Sequence, residues 1–180
     1  MRLFVALDFS PLKEYFEELQ AQIPKDAARL RFPKEFHLTL KFLGDIEGHK
    51  IEHIQTALHG IRFKPMTCAL SEVGVFKDWE RITVAWVGLK DNGSIKQLQE
   101  QVDGFLSPWL PKSDRFHAHI TLARVKNVKD KPKLVEALKK LFVEPRIITI
   151  HTFHLIASEL TPEGPKYEII ETYGKEPVQD

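Results

Sequence analysis

Cysteine is nearly absent from this chain, and neither sign of charge is in clear excess. Cys68 is the only cysteine among 180 residues, which excludes an internal disulfide and a cysteine-rich zinc cluster. A chain of this kind suits a reducing compartment, so we expect a cytoplasmic protein. The formal net charge is only +1, which argues against a uniformly basic surface that coats nucleic acid. Any anionic ligand must be met by a local group of positive side chains.

Long apolar runs and nucleotide-binding glycine patterns are also lacking. No stretch approaches the roughly 18 to 20 apolar residues that span a membrane, and Asp8 ends the N-terminal apolar run too early for a secretion signal. Walker and Rossmann glycine patterns do not occur. Residues 90–93, Lys-Asp-Asn-Gly, are superficially similar to the lysine motif of ATP-dependent ligases, but Asn-Gly is a common turn signal. We interpret this string as a turn before a helix, which Ser94 and Gln97 cap with capping-box spacing.

The hydrophobic periodicity predicts the same order of strands and helices twice. In the first half we predict a strand at 2–8, a helix at 11–23, a strand at 36–43, a helix at 51–61 and a strand at 66–76. In the second half we predict a strand at 81–89, a helix at 94–106, a strand at 118–125, a helix at 132–142 and a strand at 146–157. Corresponding elements are offset by about 80 residues, which indicates a duplicated architecture.

We therefore expect one bilobal domain, 1–180, in which residues 1–78 and 79–173 are corresponding halves. A further strand is predicted at 167–172, and residues 174–180 are expected to form a polar tail. The order strand-helix-strand-helix-strand suits an α+β fold, with a sheet in each lobe and helices on its outer face. An approximate twofold axis would make the middle strands of the two halves face each other across a central cleft.

These two middle strands contain the same pattern. Residues 37–40 read His-Leu-Thr-Leu and residues 119–122 read His-Ile-Thr-Leu, and a chance repeat at equivalent positions is improbable. Alternate residues of a strand lie on one face, so each lobe presents an imidazole together with a hydroxyl. The pairs are His37 with Thr39 and His119 with Thr121.

Two imidazoles and two hydroxyls around one point suit an in-line displacement at phosphorus. One neutral histidine accepts a proton while a charged one donates a proton, and threonine hydroxyls donate hydrogen bonds to phosphate oxygens. This chemistry needs no metal, and we expect neither a metal nor another cofactor. His49 and His53, and likewise His151 and His154, have spacings that metal sites use, but no third ligand is clearly placed beside either pair.

The repeated strings resemble the signature of the 2H phosphoesterase superfamily. The longer segments 37–44 and 119–124 are similar to its branch of RNA 2′,3′-cyclic phosphodiesterases, also called 2′,5′-RNA ligases, as are residues 1–8 and 158–167. The resemblance covers almost the whole chain and implies the LigT-like fold, with a mainly antiparallel sheet in each lobe. The chain departs from the family at Ala118, where such proteins usually have proline, and this could alter how the strand begins.

The resemblance implies hydrolysis of a terminal 2′,3′-cyclic phosphate of RNA to a 2′-phosphomonoester, with a slow ATP-independent reverse reaction that joins a 5′-hydroxyl end through a 2′,5′ bond. In that scheme His119 activates water as the proton acceptor and His37 donates a proton to the departing 3′ oxygen. Thr39 and Thr121 hold the phosphate, and Arg124 matches the family's phosphate-contacting arginine. The implied partners are RNA ends that carry a cyclic phosphate, such as tRNA fragments. We expect a monomer without a membrane partner.

One basic residue follows the motif in each of the two strands, and strict alternation predicts which face of its strand it occupies. Lys41 shares the face of His37 and Thr39, whereas Arg124 points away from Thr121. The assignment of Arg124 to the phosphate therefore requires a bulge, or the end of the strand, near Ala123.

The region around the second string is the most basic part of the chain, and it contains Lys112, Arg115, Arg124, Lys126, Lys129, Lys131 and Lys133. It is either an ordinary solvated surface or a guide for an RNA backbone, depending on whether it borders the cleft. Four aromatic residues either belong to the core or stack on a terminal base: Phe36, Phe42, Phe116 and Trp109.

Two other functions stay open at this point. The chain could be a non-catalytic module that binds RNA ends without turnover. It could also be a phosphodiesterase for a small cyclic phosphate, such as a cyclic nucleotide or an ADP-ribose derivative.

Overall fold

The computed structural model describes residues 1–175, which fold into nine strands, four α-helices and one 3₁₀ turn. The first half contains β1 (Arg2–Asp8), the 3₁₀ turn Ser10–Leu12, α1 (Lys13–Ala21), β2 (Ala28–Arg31), β3 (His37–Asp45), α2 (Gly48–His59) and β4 (Met66–Lys77). The second half contains β5 (Ile82–Lys90), α3 (Ser94–Leu106), β6 (His119–Val128), α4 (Lys131–Lys140), β7 (Ile147–Ile150), β8 (Thr152–Thr161) and β9 (Gly164–Gly174). Most of the tail expected at 174–180 lies outside the described residues, and Gly174 ends β9.

The strands form two antiparallel sheets, and each half of the chain contributes to both. The first sheet has the order β3-β1-β8-β9 and the second the order β2-β6-β5-β4-β7. Corresponding strands occupy corresponding places, since β3, β1 and β8 of one sheet match β6, β5 and β4 of the other. The two-lobed α+β fold predicted from the sequence is confirmed, and the halves exchange their last strands between the sheets.

The helices also cross from one half to the other. The apolar stripe of α1 buries Phe16 and Leu19, and that of α3 buries Leu98 and Val102. The first helix contacts β6 and the third contacts β3, so each strand that begins with a motif histidine is supported by a helix of the opposite half. One continuous apolar cluster joins residues of both sheets, and burial of this cluster ties the two lobes together.

A smaller apolar cluster covers the other face of the first sheet. It consists of Phe4, Ala6 and Ile156, with Tyr167 packed against them. This face is the one that carries His37, because Asp8, Ala6 and Phe4 alternate along β1. The cluster forms the floor of the cleft on the first lobe.

Two predicted helix caps are wrong, although α3 begins at Ser94 as predicted. Asp8 accepts hydrogen bonds from the Ser10 backbone N–H (2.9 Å) and hydroxyl (2.6 Å), and the α-helix begins only at Lys13, after the 3₁₀ turn. At α3 the Asp91 carboxylate accepts from the Ile95 N–H at 2.8 Å, in place of the predicted Ser94 cap. Side chains before the predicted caps thus satisfy the free N–H groups of each turn.

The last predicted strand of the second half is two strands. The chain leaves the second sheet after β7, which pairs with β4, and enters the first sheet with β8, which pairs with β1. His151 is the single residue between them. The short edge strand β2, which pairs with β6, was not predicted. No helix of residues 1–175 is long and apolar enough to cross a membrane.

Candidate active site

Both motif histidines are the first residues of their strands. His37 opens β3 and His119 opens β6, and both side chains are half-buried while the apolar residues that follow them are fully buried. The strands β3 and β6 contact each other where the two sheets meet. Thr39 and Thr121 follow on the same faces, as period-two alternation requires. The strand begins at the histidine in spite of Ala118, the position at which the family usually has proline.

A bulge interrupts each of these strands at the same place. In β3 the residues paired with consecutive positions of β1 are Thr39 and Lys41, so one residue is skipped. In β6 the pairing with β5 skips Leu122 in the same way. A bulge reverses the facing of every residue beyond it. The bulge that the assignment of Arg124 required is therefore present, and Arg124 lies on the face of His119 and Thr121.

The expectation that Lys41 lies beside His37 is wrong for the same reason. Beyond the bulge Lys41 turns into the protein, where it is buried and bonded to Asp103. Phe42 takes the place on the cleft face and is 72% exposed. Phe42 and Arg124 thus occupy equivalent positions of the two lobes, one apolar and one cationic.

Aromatic rings enclose the His37 imidazole. The Phe4 ring centroid lies 4.9 Å away, and the Tyr167 ring approaches edge-on at 5.2 Å. Burial lowers the pKa of His37 to about 4, the Asp8 carboxylate opposes this change, and the charges of Arg124 and His119 add to it. The groups of both lobes therefore act on one another across the cleft, and His37 is neutral at pH 7.

A backbone carbonyl orients the His119 imidazole. Its Nδ1 lies 2.7 Å from the His117 carbonyl oxygen, so Nδ1 donates a hydrogen bond and the Nε2 lone pair is left free to accept a proton. The Phe76 ring lies edge-on at 4.6 Å. Burial lowers the pKa of His119, the bond to the carbonyl raises it, and the charges of His117 and Arg124 lower it. A neutral, oriented imidazole is the state that a general base needs.

The positive side of the cleft is built by two arginines on neighbouring strands. Arg124 of β6 pairs with Arg31 of β2. Burial raises the pKa of Tyr167, Glu35 adds to this rise, and the charges of Arg124 and Arg31 oppose it. The guanidinium groups are fork-like donors that suit an anion. The structure thus supplies the local positive group that a chain of nearly zero net charge needs.

The two halves also match one known family. The sequence model described as LigT like Phosphoesterase matches residues 8–86 and again residues 87–167. The chain belongs to this family. The RNA 2′,3′-cyclic phosphodiesterase of Methanocaldococcus jannaschii is 29% identical over 175 residues, which cover 96% of this chain and 100% of the relative. The enzyme of the same name from Archaeoglobus fulgidus is 30% identical over 180 residues, with 96% and 99% covered.

Solved structures share the fold of this LigT-like phosphoesterase. The protein TT0787 of Thermus thermophilus has a TM-score of 0.82 at 23% identity, with 97% of each chain covered. Escherichia coli LigT complexed with 3′-AMP has a TM-score of 0.76 at 24% identity, with 96% of this chain and 97% of that chain covered. At this level of identity the likeness shows the fold alone.

Several residues of the LigT-like site were not singled out from the sequence as site residues. Asp8 and Tyr167 lie in segments that resemble the family, but no pattern assigned them to the site. Trp86, whose ring centroid lies 6.3 Å from that of His119, comes from a strand whose pattern indicated only burial. Arg31 lies on the strand that was not predicted. Only strand pairing brings these residues to the histidines, so no local pattern could have identified them.

Other residues that the sequence offered as ligand-binding candidates have structural partners. Lys131 pairs with Glu80 and Lys133 with Asp26, so part of the basic region is neutralised locally. His53 stacks on Trp109, with the ring centroids 6.3 Å apart. In the described part of the chain no cluster of three or more metal-ligating side chains occurs.

Proposed function

We propose that this LigT-like phosphoesterase hydrolyses terminal 2′,3′-cyclic phosphates of RNA to 2′-phosphomonoesters, without a metal and without ATP. The observation that carries the proposal is the arrangement of the two His-x-Thr strands and Arg124 around one cleft. The RNA 2′,3′-cyclic phosphodiesterases that the chain resembles along its length support the choice of substrate.

His119 is the base in this proposal. Its free Nε2 takes a proton from a water molecule, whose oxygen attacks phosphorus. The Thr39 and Thr121 hydroxyls and the Arg124 guanidinium donate hydrogen bonds to the non-bridging oxygens, where negative charge develops. The carbonyl that holds Nδ1 stabilises the imidazolium that forms.

His37 is the acid and protonates the departing 3′ oxygen as the P–O3′ bond breaks. The free protein holds this imidazole neutral, with a pKa of about 4. A bound phosphate anion neutralises Arg124 and adds a negative charge beside the ring, and both effects raise the pKa of His37. Asp8 already acts in that direction. Substrate binding itself thus prepares the acid.

The reverse reaction belongs to the same proposal. A 5′-hydroxyl in place of water opens the cyclic phosphate by the same displacement, loses its proton to His119 and forms a 2′,5′ bond, while His37 protonates the departing 3′ oxygen. Further parts of the proposal are tRNA fragments as the cellular substrates, a monomeric enzyme and a cytoplasmic location.

The test is hydrolysis of an oligonucleotide with a 2′,3′-cyclic phosphate end in excess EDTA. His37→Ala and His119→Ala should each lower kcat by about 10²- to 10⁴-fold, the usual contribution of an acid or base. His49→Ala, an exposed position on α2 beside Glu47, is the matched control and should keep full activity.

Each other result of this experiment leads to a different conclusion. Full rate in either active-site variant refutes the paired-histidine mechanism. Tight, salt-sensitive binding without product indicates an RNA-end-binding module, and loss of activity in EDTA refutes metal independence. Much faster turnover of cyclic mononucleotides than of RNA ends indicates a small-molecule phosphodiesterase.

A further inference from the structure

Two pockets flank the histidine pair, one in each lobe. The first has a volume of about 290 Å³ and is lined by His37 and the residues just before it, together with Tyr167 and Ile169. The second has a volume of about 310 Å³ and is lined by the residues just before His119. Each pocket also reaches the first turn of the first helix of its half, at Lys13 and at Ile95. The duplication of the chain has therefore duplicated the pocket.

In the proposed function the two pockets lie on opposite sides of the reacting phosphorus. In an in-line displacement the nucleophile and the leaving oxygen lie on opposite sides of that atom. In the proposed function His37 serves the leaving oxygen and His119 serves the nucleophile. The first pocket then holds the nucleoside that carries the cyclic phosphate, and the second pocket opens on the side of the nucleophile.

We propose that this second pocket, which we name the acceptor pocket, binds a nucleoside with a free 5′-hydroxyl. It is defined by Glu72, Trp86, Gly88, Asp91, Phe116 and His117. The inference rests on the proposed function, which supplies the 5′-hydroxyl, and adds to it where the incoming nucleoside binds. The volume lies at the lower end of the roughly 300 to 1,000 Å³ of small-molecule pockets, which suits one nucleoside.

Aromatic side chains give the acceptor pocket a surface on which a base stacks. The Trp86 and His117 ring centroids are 4.5 Å apart, and Trp86 lies 6.3 Å from the catalytic His119 ring. Phe116 lines the same pocket. Bases stack on such rings with little dependence on sequence, and each stacked base contributes about 1 to 3 kcal/mol.

A glycine allows the wall of the acceptor pocket to pack closely. Gly88 is the cross-strand partner of His119. A Cβ atom at this position would lie 2.7 Å from the Ser71 hydroxyl and 3.3 Å from Cζ3 of Trp86. The missing side chain therefore lets the Ser71 hydroxyl and the Trp86 ring pack closely against the strand beside His119, and a Cβ atom here would displace them.

The charges of the acceptor pocket favour a nucleoside whose 5′ end is uncharged. Glu72 and Asp91 contribute two carboxylates, against the single ammonium of Lys96. A net negative pocket repels a 5′-phosphate and tolerates a hydroxyl. Lys13 and Lys34 of the first pocket, in contrast, balance its two carboxylates.

The step balances without any further reagent. The 5′ oxygen forms a bond to phosphorus and gives its proton to Nε2 of His119. The P–O3′ bond breaks, its electron pair goes to the 3′ oxygen, and that oxygen takes the proton of His37. Water and the nucleoside compete for the same phosphorus, so the ratio of joined to hydrolysed product reports the occupancy of the acceptor pocket.

The experiment measures this ratio by chromatography with adenosine 2′,3′-cyclic phosphate and increasing adenosine. We expect the ratio to rise and then saturate in the wild type. Phe116→Leu, which keeps bulk but removes the ring, should lower the ratio about tenfold at subsaturating adenosine, as the loss of one stacking contact predicts. Gly88→Ala, whose methyl group displaces the Ser71 hydroxyl and the Trp86 ring, should lower it as well. The control is Ile169→Ala in the first pocket, which should slow both products and leave the ratio unchanged.

The contrary results separate the two proposals. A ratio that rises linearly without saturation, or that is the same in Phe116→Leu, Gly88→Ala and the wild type, overturns the acceptor pocket while hydrolysis stands. A ratio that falls in Ile169→Ala as much as in Phe116→Leu overturns the assignment of the pockets to opposite sides. If adenosine 2′,3′-cyclic phosphate and the cyclic-phosphate-ended oligonucleotide are both left unopened, the proposed function fails and the inference fails with it.

Discussion

At the scale of single residues, burial decides the protonation of the histidine pair. Desolvation is the largest influence on both pKa values, and the positive charge of Arg124 acts in the same direction on both rings. His119 also has the fixed bond from Nδ1 to the His117 carbonyl, which favours its charged form. The two imidazoles of a symmetric motif are thus made unequal by their surroundings.

The low pKa of His37 predicts how stability depends on pH. Between pH 6.5 and about 4 the unfolded chain binds a proton at this residue and the folded chain does not. The free energy of unfolding therefore falls as the pH falls through this range, by at most about 1.4 kcal/mol per pH unit for one proton. In urea denaturation, the free energy of unfolding of the wild type should fall relative to that of His37→Gln as the pH falls from 6.5 to 4. Parallel pH dependences of the two proteins would contradict this account.

Phe42 offers a ring at the mouth of the cleft. It is 72% exposed, lies 6.1 Å from Phe4, and occupies the position equivalent to Arg124. An exposed ring beside an anion site suits stacking on the base of a terminal nucleotide. We expect Phe42→Ala to raise KM for an RNA end about tenfold, with little change in kcat or in stability. Phe142→Ala is the control, since that ring is 74% exposed just beyond α4; equal kinetic effects of the two variants would exclude stacking at Phe42.

At the scale of elements, a buried ion pair ties one histidine strand to the segment that leads to the other. The Lys41 ammonium of β3 donates to the Asp103 carboxylate of α3 and to the Pro111 carbonyl at 2.7 Å. Asp103 also accepts hydrogen bonds from Gln99 at 2.6 Å and from the Ser113 N–H at 3.1 Å. Burial raises the pKa of Asp103, and these donors lower it by more, so the carboxylate stays charged.

Removal of one partner of this pair should be costly. Lys41→Met leaves the buried Asp103 without its ammonium, and we expect a loss of about 3 kcal/mol or more in the free energy of unfolding. Lys41→Met combined with Asp103→Leu should recover most of that loss. Lys13→Met, which breaks the exposed pair with Glu17, should cost less than about 1 kcal/mol. Denaturant unfolding measures these changes. Equal losses in the free energy of unfolding for Lys41→Met and Lys13→Met would show that the buried pair contributes little to stability.

The same bulges explain which parts of the site the sequence could predict. Residues 37–40 and 119–122 precede or meet the bulges, so simple alternation places their histidines and threonines correctly. Beyond the bulges alternation reverses, which is why Lys41 was assigned to the wrong face. The pattern of residues within one strand does not reveal where its pairing with the neighbouring strand skips a residue. The exchange of β4 and β8 between sheets was hidden for a similar reason, because strand pairing depends on contacts far apart in the chain.

At the scale of the whole molecule, positive charge is concentrated in the cleft, although the chain has almost no net charge. The net charge is only +1, and Lys131 and Lys133 outside the cleft are paired with carboxylates. The cleft instead gathers Arg31 and Arg124 beside the imidazoles. An anionic ligand is thus attracted to one place, without the non-specific binding that a basic surface produces.

The exchange of last strands makes the two halves dependent on each other. Within residues 1–78, β1 lacks its neighbour β8, and within the second half β5 lacks its neighbour β4. A sheet with a missing central neighbour exposes both an apolar face and unpaired backbone groups. We therefore expect the fragments 1–78 and 79–180, divided at the exposed turn after Asp78, to be unfolded separately. An equimolar mixture should regain secondary structure and activity, as measured by circular dichroism and turnover. Cooperative unfolding of either fragment alone would show that a half is an independent folding unit, and the strand exchange would then be a late docking step and not a condition for folding.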